Sequence, residues 1–234
     1  MTSTIRSATT WVAASLGIGA VSYAAYASMT WLRYGTPRKA PAKDGDPLLD
    51  LFMPRYEIAD RHKIQVDAPA EVVLSSAREM DLERSAIIRT IFKGREWIVR
   101  SKSDDRIRGR GFVEGMKALG WGVLAELPGR EIVMGGVTQP WEPNPVFRAL
   151  SPDEFAAFND SGYVKIVWTL RADPADGGKS VFRTETRAVA TDPESRKKFR
   201  RYWSFLSIGI IAIRRAILPV VKTDAEKRWH WMAA

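Results

Sequence analysis

Apolar and polar side chains alternate from Glu57 to Val66. Ile58, His62, Ile64 and Val66 share one side, and Glu57, Arg61, Lys63 and Gln65 the other. A period of two predicts a half-buried strand. Asp67-Ala68-Pro69-Ala70-Glu71 then starts a helix, with Asp67 the candidate N-cap and Pro69 in the first turn. Val72, Val73, Ala77 and Met80 follow at helical spacing, and Ser85 to Val99 repeats it with Ile87, Ile88, Ile91 and Trp97. Asp104 to Arg110 is a charged break, and Phe112 to Leu119 fits a short helix.

Two short strands, Trp121–Leu127 and Glu131–Val137, flank Pro128-Gly129 and read as a hairpin. The loop from Gln139 to Pro145 is stiffened by three prolines, and Pro152 to Phe158 suits a turn or two of helix. Tyr163–Arg171 and Ser180–Ala190 form a second strand pair. Val164, Ile166, Trp168 and Leu170 line one face of the first, and Phe182, Thr184, Thr186 and Ala188 one face of the second. Lys165 and Arg171, and Arg183, Glu185 and Arg187, fall opposite, so each strand is expected to be wet on one side, as in antiparallel sheets. A long helix is predicted from Pro193 to Val221. Phe199, Trp203, Leu206, Ile210, Ile213 and Ile217 make one apolar stripe, flanked by Arg196, Lys197, Arg200, Arg201, Arg214 and Arg215. Pro219 is expected to kink or stop it.

Two further segments differ in kind. No charged side chain occurs from Ser7 to Leu32, with Trp11 near one end and Trp31 and Tyr34 near the other. About 20 apolar residues cross a ~30 Å hydrocarbon core, and aromatics favour its two interfaces. Residues 10–32 are therefore expected to anchor the chain as a single transmembrane helix; a cleaved signal peptide ending near Ala25-Tyr26-Ala27 is the alternative. Arg33, Arg38, Lys39 and Lys43 outnumber Arg6, which favours a cytoplasmic location for the C-terminal remainder of the chain. Pro37, Pro41, Pro47 and Pro54 make residues 33–54 a linker in which no regular element is expected. Its Pro47–Phe52 run is apolar enough to lie on the domain or the bilayer. Residues 55–223 form the folded domain, with short tails at 1–9 and 224–234.

Composition narrows the chemistry. With 36 Lys+Arg against 27 Asp+Glu the chain carries +9, but the basic residues flank apolar stripes rather than exposed aromatics, which argues against nucleic acid. Cysteine is absent and only His62 and His230 are present, so no metal site and no thiol nucleophile is expected. No GxxxxGK[ST], GxGxxG, GxSxG or HExxH occurs. No cofactor and no catalytic residue is assigned; His62 and Asp60 are the titratable groups an enzyme would have to use.

The run Arg61 to Val73, the Pro140-Trp141 loop after a strand, and the Arg183-Thr184-Glu185-Thr186-Arg187 strand before the last helix resemble the SRPBCC superfamily of START-like and birch-pollen-allergen-like domains. The resemblance implies an α+β helix-grip fold, a curved antiparallel sheet wrapped on the C-terminal helix, and a pocket between them for an apolar small molecule or lipid. The expected walls are His62, Ile132, Met134, Val164, Ile166, Trp168, Phe182, Thr184, Thr186, Trp203, Leu206 and Ile210. The alternatives are a polyketide cyclase or dehydratase-like enzyme and a cavity-free interaction module working at the membrane surface. Oligomeric state is left open.

Overall fold

The computed structural model describes residues 2–37, 40–41, 44–81 and 109–233. The predicted helix at 85–99 lies outside them. In chain order the elements are α1 (Thr2–Arg33), α2 (Pro47–Phe52), β1 (Ile58–Val66), α3 (Ala70–Glu79), α4 (Phe112–Ala118), β2 (Gly122–Leu127), β3 (Glu131–Thr138), α5 (Pro152–Ala157), β4 (Val164–Ala175), β5 (Lys179–Ala190) and α6 (Pro193–Ala233).

The five strands form one antiparallel sheet in the order β1-β5-β4-β3-β2. It is curved and packs on the long C-terminal helix, the helix-grip arrangement. The β4–β5 hairpin is longer than the sequence indicated, because Asp173 accepts from both Arg171 Nε and Arg183 Nε at 2.8 Å. Three residues, Asp176-Gly177-Gly178, make the turn, the two glycines at φ 71° and 72°. Asp67 does not cap α3. Pro69 occupies the N-cap, and Asp67 pairs with Lys179 at 2.8 Å.

Helix α6 neither stops nor breaks at Pro219, which is exposed. It continues to Ala233 because Val221 and Ala225 are fully buried in the core shared with α3. Glu226 also accepts the Asp67 N–H at 2.8 Å, and Arg228 reaches Glu79 at 2.6 Å. Residues 224–233 are therefore helix, and His230 sits exposed in its last turns.

The convex face is covered over β3 and much of β5, while Lys63 and Gln65 of β1 stay exposed. Every residue of β3 is buried, and Glu185 and Arg187 of β5 are 5% and 2% exposed. The linker covers this face as a strap. Asp46 caps α2 by accepting from Leu49 N–H at 2.9 Å, Pro47 opens the helix, and Leu49 and Met53 pack with Val133, Val167 and Phe155. A short helix thus forms where proline density suggested none, since proline at N1 suits a helix start. Ion pairs fix the strap: Asp44 to Lys63 and Arg183, and Asp50 to Arg187.

The end of α1 packs antiparallel against the start of α6. Tyr26 Oη and Ser207 Oγ are 2.8 Å apart, and Tyr23 Oη donates to the Phe205 carbonyl at 2.7 Å. Arg200 donates to the Trp31 carbonyl at 2.8 and 3.0 Å and lies over the Trp31 ring at 4.3 Å. A cation at a helix C-terminus meets the negative end of its dipole. Arg196 pairs with Glu57 at 2.8 Å, so the basic run at 196–201 is partly engaged inside the fold. Val21 and Leu32 of α1 and Phe205 and Ile208 of α6 remain exposed.

Candidate functional site

The inner face of the sheet carries two apolar clusters. Ile132, Met134, Trp168 and Phe182 pack with Ile217, Leu218, Val221 and Ala225 of α6, with α3 and α4 closing the sides. Nearer the start of α6, Val164, Ile166 and Trp203 gather with Ile58 and Phe199. Leu206 and Ile210 lie half-buried on α6 between the two contacts.

Between the clusters, β1 and β5 carry a polar band. Along β1, Asp60 and His62 separate Ile58 from Ile64; along β5, Thr184 and Thr186 separate Phe182 from Ala188. Register places His62 opposite Thr184 and Asp60 opposite Thr186. His62 Nε2 is 3.0 Å from the Asp60 carboxylate, and both side chains are about nine-tenths buried, at 12% and 11% exposure. The Thr186 hydroxyl is shielded from solvent and has no hydrogen-bond partner among the described residues.

Helix α6 adds a residue to this band that the sequence pattern put on the flank. Arg214 follows Ile210 by four and precedes Ile217 by three, so it shares their face of the helix. The residue as a whole is half-buried, but its Nη1 is shielded from solvent and makes no hydrogen bond among the described residues. Burial lowers its pKa, and the carboxylates of Asp60 and Glu185 oppose that. No carboxylate oxygen pairs with it among the described residues. The spacing of 210, 214 and 217 was the available signal; charge outweighed periodicity.

The expected pocket residues are thus brought to one face, and two of them, His62 and Thr184, also line a cavity beneath the strap. A space of about 220 Å³ opens on the convex face beneath the strap, with Asp44, Arg61, Lys63, Arg171, Arg183 and Glu185 around it and His62 and Thr184 at its edge. Its charged walls are matched internally: Glu185 binds Arg61 at 2.7 Å and Arg187 at 2.6 Å. Beside it Glu131, 3% exposed, accepts from Thr169 Oγ1 at 2.8 Å and hydrogen-bonds the Asp46 carboxyl. Burial, then Asp46, push the Glu131 pKa up to about 8, which favours its protonated form. Among the described residues no three His, Asp or Glu side chains converge to hold a metal.

Met80 and Phe112 both belong to the larger cluster, and Gly111 lies so near α3 that a Cβ there would sit 3.1 Å from the Arg78 carbonyl oxygen and from Glu79 Cα.

No family model and no curated protein matches the chain. Several solved structures are similar in shape. They include CalU16 from Micromonospora echinospora, 13% identical, covering 74% of this chain and 87% of that one, with a TM-score of 0.25. The Zhui aromatase/cyclase from Streptomyces sp. R1128 is 13% identical, with 73% and 94% covered and a TM-score of 0.30. Ara h 8.0201 is 10% identical, with 71% and 98% covered and a TM-score of 0.22. Superposition at these scores is loose, and the fold rests on this chain's own strand order and the placement of α6.

Proposed function

We propose that the chain binds an apolar small molecule or lipid between the inner face of the sheet and the middle of α6. The observation that carries this reading is the polar band of Asp60, His62, Thr186 and Arg214, set between two apolar clusters, with Arg214 Nη1 and Thr186 Oγ1 unpaired among the described residues. A core that served only stability would be expected to place apolar groups there, because each buried unpaired polar group costs about 1–3 kcal/mol. No catalytic role is assigned to His62 and Asp60.

Anchoring through α1 is part of the same reading. Residues 10–32 supply an uncharged length sufficient for a bilayer, and exposed Val21, Leu32, Phe205 and Ile208 would meet acyl chains. α6 itself is long and apolar enough to cross a membrane by composition, but its contacts with the sheet argue for a place in the folded domain. The anchored domain would face the cytoplasm.

Titration of the full chain with the neutral fluorophore N-phenyl-1-naphthylamine tests ligand binding. Saturable one-to-one binding, weakened more than about 10-fold by Ile210→Trp, is expected. Binding that fails to saturate, or ignores that substitution, would contradict it.

A further inference from the structure

Resting on the ligand-binding reading, we infer that the inner site selects apolar molecules bearing a single carboxylate, which Arg214 receives. Arg214 is the cation of the band, and its planar guanidinium presents donors matched to a carboxylate in two parallel hydrogen bonds. Its Nη1 is shielded from water and has no hydrogen-bond partner among the described residues. Asp60 does not fill that role: its carboxylate is held by His62 at 3.0 Å, two residues along the same strand. Thr186 Oγ1, equally unpaired and opposite Asp60 in register, supplies a hydroxyl donor for the second oxygen of the incoming group.

Charge favours a monoanion. Asp60, held by His62, and Glu185 already oppose Arg214, so the fewest added negative charges are favoured, and a carboxylate brings one. A phosphate monoester, carrying about −1.5 to −2 charges, would be under-compensated and repelled by Asp60. The apolar remainder of the ligand would extend toward Leu206 and Ile210 on one side and Trp168 and Phe182 on the other. Both are surfaces that an alkyl chain or ring system can cover.

The test compares cis-parinaric acid with its methyl ester, binding to the full chain being read by energy transfer from tryptophan. The acid is expected to bind at least about 10-fold more tightly than the ester. Arg214→Met should remove that preference, bringing the affinities for acid and ester to within about 3-fold of each other. Arg214→Lys, which keeps the charge without the fork, should retain only part of it. Equal binding of acid and ester by the unaltered chain overturns the inference while leaving an apolar site intact. Failure of both probes to bind overturns the ligand-binding reading as well. Should Arg214→Met fail to fold, the acid-to-ester ratio of the unaltered chain still decides.

Discussion

His62 and Asp60 form a buried pair on one strand, with Nε2 3.0 Å from the carboxylate and both side chains turned toward α6. Residues two apart on a strand share a face, so the pairing needs no long-range assembly. Its cost is met locally: the imidazole satisfies the carboxylate, and the carboxylate in turn tempers the field of Arg214. Asp60→Ala removes both effects and is expected to destabilise the fold by about 1–3 kcal/mol in urea unfolding. Combined with Arg214→Met, part of that loss should return. Strict additivity of the two substitutions would show that the groups do not interact.

Arg214→Met alone should raise the urea midpoint. The substitution replaces a half-buried cation, whose Nη1 is shielded and without a partner among the described residues, by a flexible apolar side chain between Ile210 and Ile217. A lowered midpoint would mean that the arginine is stabilising in the free protein, contrary to its role as a ligand anchor.

Arg187 behaves in the opposite way. It is 2% exposed and donates to Glu185 at 2.6 Å and to the Met53 carbonyl at 2.9 Å, and its guanidinium stacks 4.6 Å from the Tyr56 ring. Arg187→Met strands the strap and leaves Glu185 with Arg61 as its remaining partner, so a loss of about 3–5 kcal/mol is expected. Equilibrium denaturation giving less than about 1 kcal/mol would show that the network is not structural.

The strap also carries a pH dependence. Glu131 has a folded pKa raised to about 8 from 4.5, so its protonated form is favoured by the fold. Its contribution is complete below about 4.5 and is lost as pH climbs through about 8. Stability of the unaltered chain should decline across that interval, and Glu131→Gln, which mimics the protonated carboxyl, should flatten the decline. Parallel pH profiles for the two proteins would show that protonation of Glu131 does not contribute to folding.

Docking of α1 is separable from the domain. Ser207 is fully buried where Tyr26 meets α6, and Ala27 is 7% exposed at the same contact. Ser207→Phe should displace α1 and speed tryptic cleavage at Arg33 several-fold, with little change in the unfolding of the sheet. Unchanged cleavage would place the strength of the contact elsewhere, at Arg200 or Tyr34.

Much of this architecture was legible in the chain. Period-two alternation at 57–66, 163–171 and 180–190 located three strands and their inner faces, because side-chain direction is set locally. The stripe from Phe199 to Ile217 located α6 for the same reason. What escaped depends on distant partners. Asp44 meets Arg183 across 139 residues, and Arg187 meets Asp50 across 137, so the linker's role as a covering strap has no local signature. Arg214 was hidden by its charge, which suggested a solvated flank although its spacing matched the stripe. The end of α6 was misplaced because Pro219 is costly only where its ring and missing N–H cannot be accommodated, and here it faces outward.

Native mass spectrometry of the full chain, released from mild detergent without delipidation, addresses the central claim most directly. The account predicts one apolar, carboxylate-bearing molecule per chain, retained by the unaltered protein and diminished in both Ile210→Trp and Arg214→Met. A protein that repeatedly emerges without any bound molecule, while its sheet and α6 stay folded, would contradict it.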